Sequence, residues 1–389
     1  MRSLLLKNIL ESKGYIRGPF GSALKRGEMR SEGIPVYEQS NAIKNDRVFR
    51  YFIDQNKYEE LKRFKVQPGD LVISCSGTVG EVTLIKENDP IGIISQALLL
   101  LRSDKTKILP EFLMYFFKTA KGHNAILERS SGSVQVNIAR RSIIENIEVP
   151  CPELSEQQKI IEILSAIDDK IELNNRINQN LENEAMSIFK QKIALLENLP
   201  LSWKLEPLDE VADFLNGLAM QKFEPVEDEE SLPVLKIVEL KQGFCDLNSN
   251  RCHKRIKPEY IVNDGDVIFS WSASLVVDVW CGGTTGLNQH LFKVTSKKYD
   301  KWFYYYWTKF YLGDFIHEAS AKATTMGHIT RDRLSKAICV IPDEHTYKMV
   351  GNLIEPILDT IIANRLENKK LIELRESVLP KLMSGEIRL

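Results

Sequence analysis

Few side chains in this 389-residue sequence stand at spacings that could make or break bonds. Cys245, Cys252, His253 and Cys281 carry zinc-binding atoms, but their intervals fit no standard zinc site, and no CxxC pair occurs among the six cysteines. Glu239-Leu240-Lys241 matches part of a nuclease element; with no aspartate partner placed for it, the match reads as chance. The chain contains no Pro-Pro pair, so the Asn/Asp-Pro-Pro-Phe/Tyr tetrapeptide of adenine methyltransferases is missing. GxxxxGK(S/T) and HExxH are missing too, which removes a phosphate-gripping loop and a metalloprotease centre. The sequence therefore assigns no catalytic residue and no metal ligand.

Composition narrows the class. Hydrophobic residues make up 43% and charged residues 27%, ordinary for globular protein. At roughly 150 residues per domain the length suggests two or three domains. The longest apolar runs, such as Ala97–Leu101, fall far short of the ~20 residues of a membrane span, and the run at Leu4–Leu6 is too short for a signal peptide. A cytoplasmic protein is expected. Net charge is −1, yet the first 150 residues carry +6, with 23 Lys and Arg against 17 Asp and Glu. Arg251, Lys254, Arg255 and Lys257 form a second basic cluster inside an otherwise acidic segment. Charge permits nucleic-acid binding without demanding it.

The elements that would position any binding group occur twice, about 190–196 residues apart. Phe64–Ser76 matches Tyr260–Ser272: a Pro-Gly-Asp or Asp-Gly-Asp turn precedes a strand-like apolar run ending in small hydroxyl residues. Ser95-Gln96 resembles Asn288-Gln289, each ahead of another apolar run. Phe112–Phe117 then matches Trp302–Trp307, aromatic stretches that read as core packing rather than base stacking.

The last repeated part is helical. Ile160, Leu164, Ile167, Ile171, Asn174, Asn178, Leu181, Ala185 and Ile188 advance by four and three in turn, the spacing of a coiled-coil seam. Adding 190 gives Val350, Ile354, Ile357, Ile361, Asn364, Asn368, Leu371, Arg375 and Val378, with the two asparagines in the same places. Each seam runs roughly 42 Å at 1.5 Å per residue, and each needs a partner for its apolar stripe. The economical partner is the other seam. The pattern predicts helices over Ser155–Leu196 and His345–Leu379, paired antiparallel about an approximate two-fold axis with Asn174 and Asn364 near the crossing. Pro356 should kink the second helix or mark its start, and Pro380 with Ser384-Gly385 should end it.

Over nearly its whole length the sequence resembles the specificity subunits of type I restriction–modification systems. Gly18-Pro19-Phe20-Gly21-Ser22, Gly33–Val36 and Gln39–Ile43 resemble the opening of a target-recognition domain in that family, as do Trp203–Leu208, Asn216-Gly217 and Leu232–Ile237. Gly69–Gly80 is similar to the family's strand-and-loop signature, and Glu156–Ile160 and Leu379–Ile387 to its helical regions. The second domain reads Ser272–Val276 where the first has Ser76-Gly77-Thr78-Val79-Gly80, so its loop is expected to take a different path.

The resemblance implies a mixed α/β (α+β) chain with a pseudo-two-fold internal repeat. Target-recognition domains at 1–154 and 199–343 would alternate with helical spacers at 155–198 and 344–389. It implies a reader of double-stranded DNA, each domain recognising half of a bipartite, asymmetric site. Methyltransferase subunits, two of them, would dock on the chain and motor-endonuclease subunits would join. S-adenosylmethionine, ATP and Mg would belong to those partners, and none to this chain. A self-contained site-specific nuclease or DNA-modifying enzyme is the competing reading.

DNA contacts call for donors on loops. In the first domain these are Ser22, Lys25, Arg26, Arg30, Gln39, Asn41, Ser76 and Thr78, with Arg140 and Arg141 after the polar Ser130–Ser133 loop. In the second they are Lys222, Lys241, Arg251, Lys254, Arg255, Lys322, His328, Arg331 and Arg333.

Overall fold

The computed structural model describes residues 2–20, 23–129, 136–194, 199–225, 230–321 and 329–389. The chain divides into two units, Met1–Asp168 with Glu373–Leu389, and Asp169–Ile372.

In the first unit a four-stranded antiparallel sheet is built from β1 (Leu10–Arg17), β2 (Asp70–Ser74), β3 (Val82–Leu84) and β4 (Leu98–Ser103), in the order β1-β4-β2-β3. The central strands β2 and β4 read as apolar runs because both their faces are covered. Leu71, Ile73, Leu99 and Leu101 enter one core with the aromatic helix Pro110–Lys118. Val72, Leu98 and Leu100 enter another, with a three-stranded sheet of Phe52–Ile53, Ile34–Tyr37 and Ile93–Ile94.

The second unit repeats the plan. β5 (Asp213–Asn216), β6 (Val267–Ser270), β7 (Val276–Val279) and β8 (Leu291–Thr295) form a sheet in the order β5-β8-β6-β7. Val267, Phe269, Phe292 and Val294 face the helix Lys301–Phe310, and Ile268 and Leu291 face away from it into a second core. The matching turns close alike: Asp70 accepts the Gln67 N–H at 2.7 Å beside Gly69 (φ +92°), and Asp266 accepts the Asn263 N–H at 2.8 Å beside Gly265 (φ +89°). The repeated aromatics are packed in cores, Phe112 and Phe116 in the first unit and Trp302, Tyr305 and Trp307 in the second.

The long helices span Leu154–Lys192 and Glu344–Ser384, and the division between units falls inside both. Residues 195–198, where the sequence places the end of the first helix, lie outside the described residues. Pro356 does not mark a start, since the second helix begins twelve residues earlier and passes through it. Nor does Pro380 end that helix, which stops at Ser384, where Gly385 turns to φ +76°. Ile354, Leu358 and Ile361 around the first proline, and Leu379, Leu382 and Met383 around the second, are buried, and that packing outweighs one lost hydrogen bond.

Within the second unit the helices run antiparallel. Asn174 Nδ2 donates to Asn368 Oδ1 at 2.8 Å and Asn364 Nδ2 donates to Asn178 Oδ1 at 2.8 Å. The crossing therefore lies between these pairs, half a turn from the expected Asn174 and Asn364, because each asparagine meets the counterpart of the other. Each unit also ties its aromatic helix to the first long helix. Tyr115 Oη donates to Asp168, which also takes the Arg375 guanidinium at 2.7 Å. Tyr305 Oη donates to Glu182, which pairs with Lys309 at 2.8 Å. Among the described residues no helix is long and apolar enough to cross a membrane.

Candidate nucleic-acid interface

In the first unit the loops that follow β1 and β2 meet. Gly18, next after β1, lies so close to the chain that a Cβ there would stand 1.9 Å from the Ser95 carbonyl oxygen. Its N–H donates to Leu98 O at 3.0 Å, which fixes where the loop departs. Ser74, the buried end of β2, donates through Oγ to Thr78 O at 2.6 Å and accepts the Glu81 N–H. That clamp pushes Cys75–Thr78 outward, with Gly77 at φ +66°.

The clamp brings three of the expected residues together: Ser76 Oγ donates to Gln39 Oε1 at 2.6 Å, and Thr78 is exposed on the same loop. Arg17, which the sequence reading did not select, donates to Cys75 Sγ and lies 5.7 Å from the ring of Phe20, itself 64% exposed. Arg141 lies 4.8 Å over the ring of Tyr15 of β1 and pairs with Glu145. Arg17 and Arg141 both pull the Tyr15 hydroxyl pKa down, although burial, the larger effect, leaves it raised.

The remaining first-unit candidates divide. Lys25 and Arg140 are exposed, Arg26 bonds Tyr51, and Arg30 pairs at the surface with Asp54. Asn41 is a correction. It is 1% exposed; its amide oxygen accepts the Glu38 N–H, and its Nδ2 donates to Asp46 Oδ1 and Val48 O. Those bonds build the turn that presents Gln39 and leave no donor for DNA. Ser22 and the Ser130–Ser133 loop lie outside the described residues.

The second unit repeats the frame with other side chains. Gly217 would put a Cβ 2.3 Å from Asn288 O, and its N–H donates to Leu291 O at 3.0 Å. Ser270 Oγ donates to Ser274 O at 2.8 Å, as Ser74 does to Thr78. The expected different path is corrected for the first half of this loop. Ala273 takes φ +57° at the place of Gly77, and only the return to the sheet is shorter, with Ser270 paired to Val276. Trp271 Nε1 donates to Asn216 Oδ1 at 3.0 Å, and Ser272 Oγ and His290 Nδ1 share a hydrogen bond of 3.1 Å. The Ile329 N–H donates to Trp271 O, so Arg331 begins two residues from this cluster.

Arg251, Lys254 and Arg255 sit together on a separate edge, where Arg251 donates to Ser231 and Lys254 pairs with Glu230. Lys222 and Lys241 are exposed, and Arg333 pairs with Glu318. Lys322 and His328 lie outside the described residues. Glu239 of the supposed nuclease element accepts the Lys236 N–H and caps a short helix, the part Asn41 plays in the first unit. Among the described residues no three His, Cys, Asp or Glu side chains gather as metal ligands would.

Two units of one plan, each offering a polar loop cluster, define a tandem recognition protein, and comparison with known proteins says of which kind. The family model described as type I restriction modification DNA specificity domain matches residues 21–183 and again 200–376, and the chain belongs to that family. Its role is DNA recognition rather than catalysis. The type I restriction enzyme MjaIX specificity subunit of Methanocaldococcus jannaschii is 25% identical over 73% of this chain and 70% of its own length. The putative MjaX specificity subunit of the same organism is 22% identical over 87% and 83%. The crystal structure of a type I restriction–modification system S subunit from M. genitalium shares the fold, with a TM-score of 0.55 at 14% identity over 98% of this chain and 96% of that one.

Proposed function

We propose that this chain gives a type I restriction–modification complex its DNA sequence, each unit reading one half of a bipartite, asymmetric site in double-stranded DNA. The observation that carries the reading is the repeated frame, Gly18 with Ser74 and Gly217 with Ser270, which holds different polar side chains at matching positions. Two readers with one backbone plan and different side chains suit a site whose halves differ. Lys25, Arg26, Arg30, Arg140, Lys222, Lys241, Arg251, Lys254, Arg255, Arg331 and Arg333 then serve phosphates, while Gln39, Ser76 and Thr78 face base edges.

The long helices set the spacing between the half-sites and seat two methyltransferase subunits. Exposed apolar residues at helical intervals, Leu173 with Ile177 and Met349 with Leu353, support that docking role. Motor-endonuclease subunits complete the complex, which works in the cytoplasm. Adenine methylation and cleavage belong to the partners, which bring S-adenosylmethionine, ATP and Mg.

Phosphate contacts make binding salt-dependent. For the chain assembled with its methyltransferase subunits, log K against log salt concentration should fall with a slope of about −0.9 per phosphate neutralised. A slope near zero on duplexes carrying the host's modified sequence would contradict the reading.

A further inference from the structure

Strand registers put the two reading loops in correspondence. Arg17 of β1 pairs with Leu99 and Asn216 of β5 with Phe292; Ser74 pairs with Leu98 and Ser270 with Leu291. On this shared frame several residues are the same in both units: Gly18 and Gly217, Ser74 and Ser270, Ser76 and Ser272, Gln96 and Gln289. The side chains that touch across the two loops are different. A guanidinium meets a thiol in the first unit, where an amide meets an indole in the second.

We propose that the residue before the buried glycine, Arg17 in the first unit and Asn216 in the second, determines base specificity in its half-site, held in aim by its loop partner, Cys75 or Trp271. The inference rests on the DNA-reading function proposed above.

The chemistry of each pair fits. Burial pushes the Cys75 thiol pKa up to about 11, so Arg17 faces a neutral sulfur, a weak acceptor that steers the guanidinium without using up its donors. Other arginines of the unit are paired with carboxylates, Arg30 with Asp54, Arg47 with Asp89 and Arg102 with Asp70. The guanidinium fork matches guanine O6 and N7 in the major groove. Asn216 accepts the indole N–H through one lone pair of Oδ1, which fixes its amide and leaves Nδ2 to donate to adenine N7 and the second lone pair of Oδ1 to accept from N6. Behind both residues the glycine admits no side chain, so the loop has no room to retreat.

The test uses the assembled complex and the bases preferred at every position of its site, measured by selection from randomised duplexes. Arg17→Gln should cut discrimination at one position of the first unit's half-site by roughly 10- to 100-fold. Arg17→Lys, which keeps the charge and loses the fork, should do the same. Asn216→Ala should act at one position of the other half-site. In each case the opposite half and the spacer should stay as they were. A wild-type preference that survives unchanged in all three folded variants would overturn the inference and leave the DNA-reading function standing. So would a uniform loss of affinity across all sequences, the mark of phosphate contact. A wild-type complex with no sequence preference would overturn both.

Discussion

Gly77 and its counterpart Ala273 share a left-handed backbone, at φ +66° and +57°, and the two residues bear it at different cost. The conformation costs a residue with a Cβ about 1–2 kcal/mol, of which glycine's greater freedom when unfolded takes back about 0.5–1. Ala273→Gly should therefore leave stability unchanged or raise it by up to about 1.5 kcal/mol, read from urea midpoints at constant slope. Gly77→Ala should lower it by about 1 kcal/mol, with the new methyl also pressing on Gln39 Nε2, 3.3 Å from its position. A loss above about 1 kcal/mol in A273G would contradict the shared loop path. The surface placing of Ser76 and Thr78 was legible in the sequence because polar residues just after a strand pattern belong on loops, whereas Gln39 opens a short helix. Asn41 has the same composition signal but sits at the third position of a short helix, where a side chain that reaches back to the cap is consumed by folding. The structural correspondence of Arg17 with Asn216 was hidden by the spacing. Those two stand 199 positions apart, against 196 for Cys75 and Trp271 and 193 for Leu98 and Leu291, so a repeat read at 190–196 slides past them.

At the scale of elements, seam residues chosen on four-three spacing are buried or half-buried along both long helices, Ile160 and Leu164 in the first unit and Val350, Ile354 and Ile361 in the second. The asparagines among them carry the register. Asn368 Nδ2 also donates to Asn175 Oδ1, and Asn174 Nδ2 also donates to Glu367, so the crossing is a small polar network in an apolar stripe. Asn368→Leu alone should cost about 1–3 kcal/mol, because it strips a partner from buried Asn174. Adding Asn174→Leu should restore wild-type stability or exceed it, since an apolar pair asks for no hydrogen bonds. Urea denaturation of the two variants decides this, and a double variant weaker than the single would contradict the polar-network reading. The prolines show where sequence signals lose. Pro356 removes one helical donor, yet the buried residues at 354, 358 and 361 hold the helix through it, and Thr360 Oγ1 donates to the proline carbonyl at 2.7 Å. Local chemistry marked a break that tertiary packing overrode.

At the scale of the whole molecule, the repeat was legible because turns, strands and seams recur in the same order, whereas the DNA sequence read by each loop depends on side-chain geometry that order does not encode. If the helices set the spacer, four residues inserted at a seam-preserving point should lengthen a helix by ~6 Å, near two base pairs at ~3.4 Å each. Such a complex should prefer a spacer longer by one or two base pairs with both half-sequences unchanged, and an unmoved spacer in a folded complex would contradict the ruler. The division of labour between units is tested most directly by mapping modified bases in a methylation-free host. The complex would carry either this chain or one whose residues 199–343 are exchanged for the corresponding segment of a relative. The expected result is a bipartite sequence for the first, and for the second a new half joined to the old half across the same spacer; an undivided sequence, or an exchange that alters both halves, would contradict two independent readers on one chain.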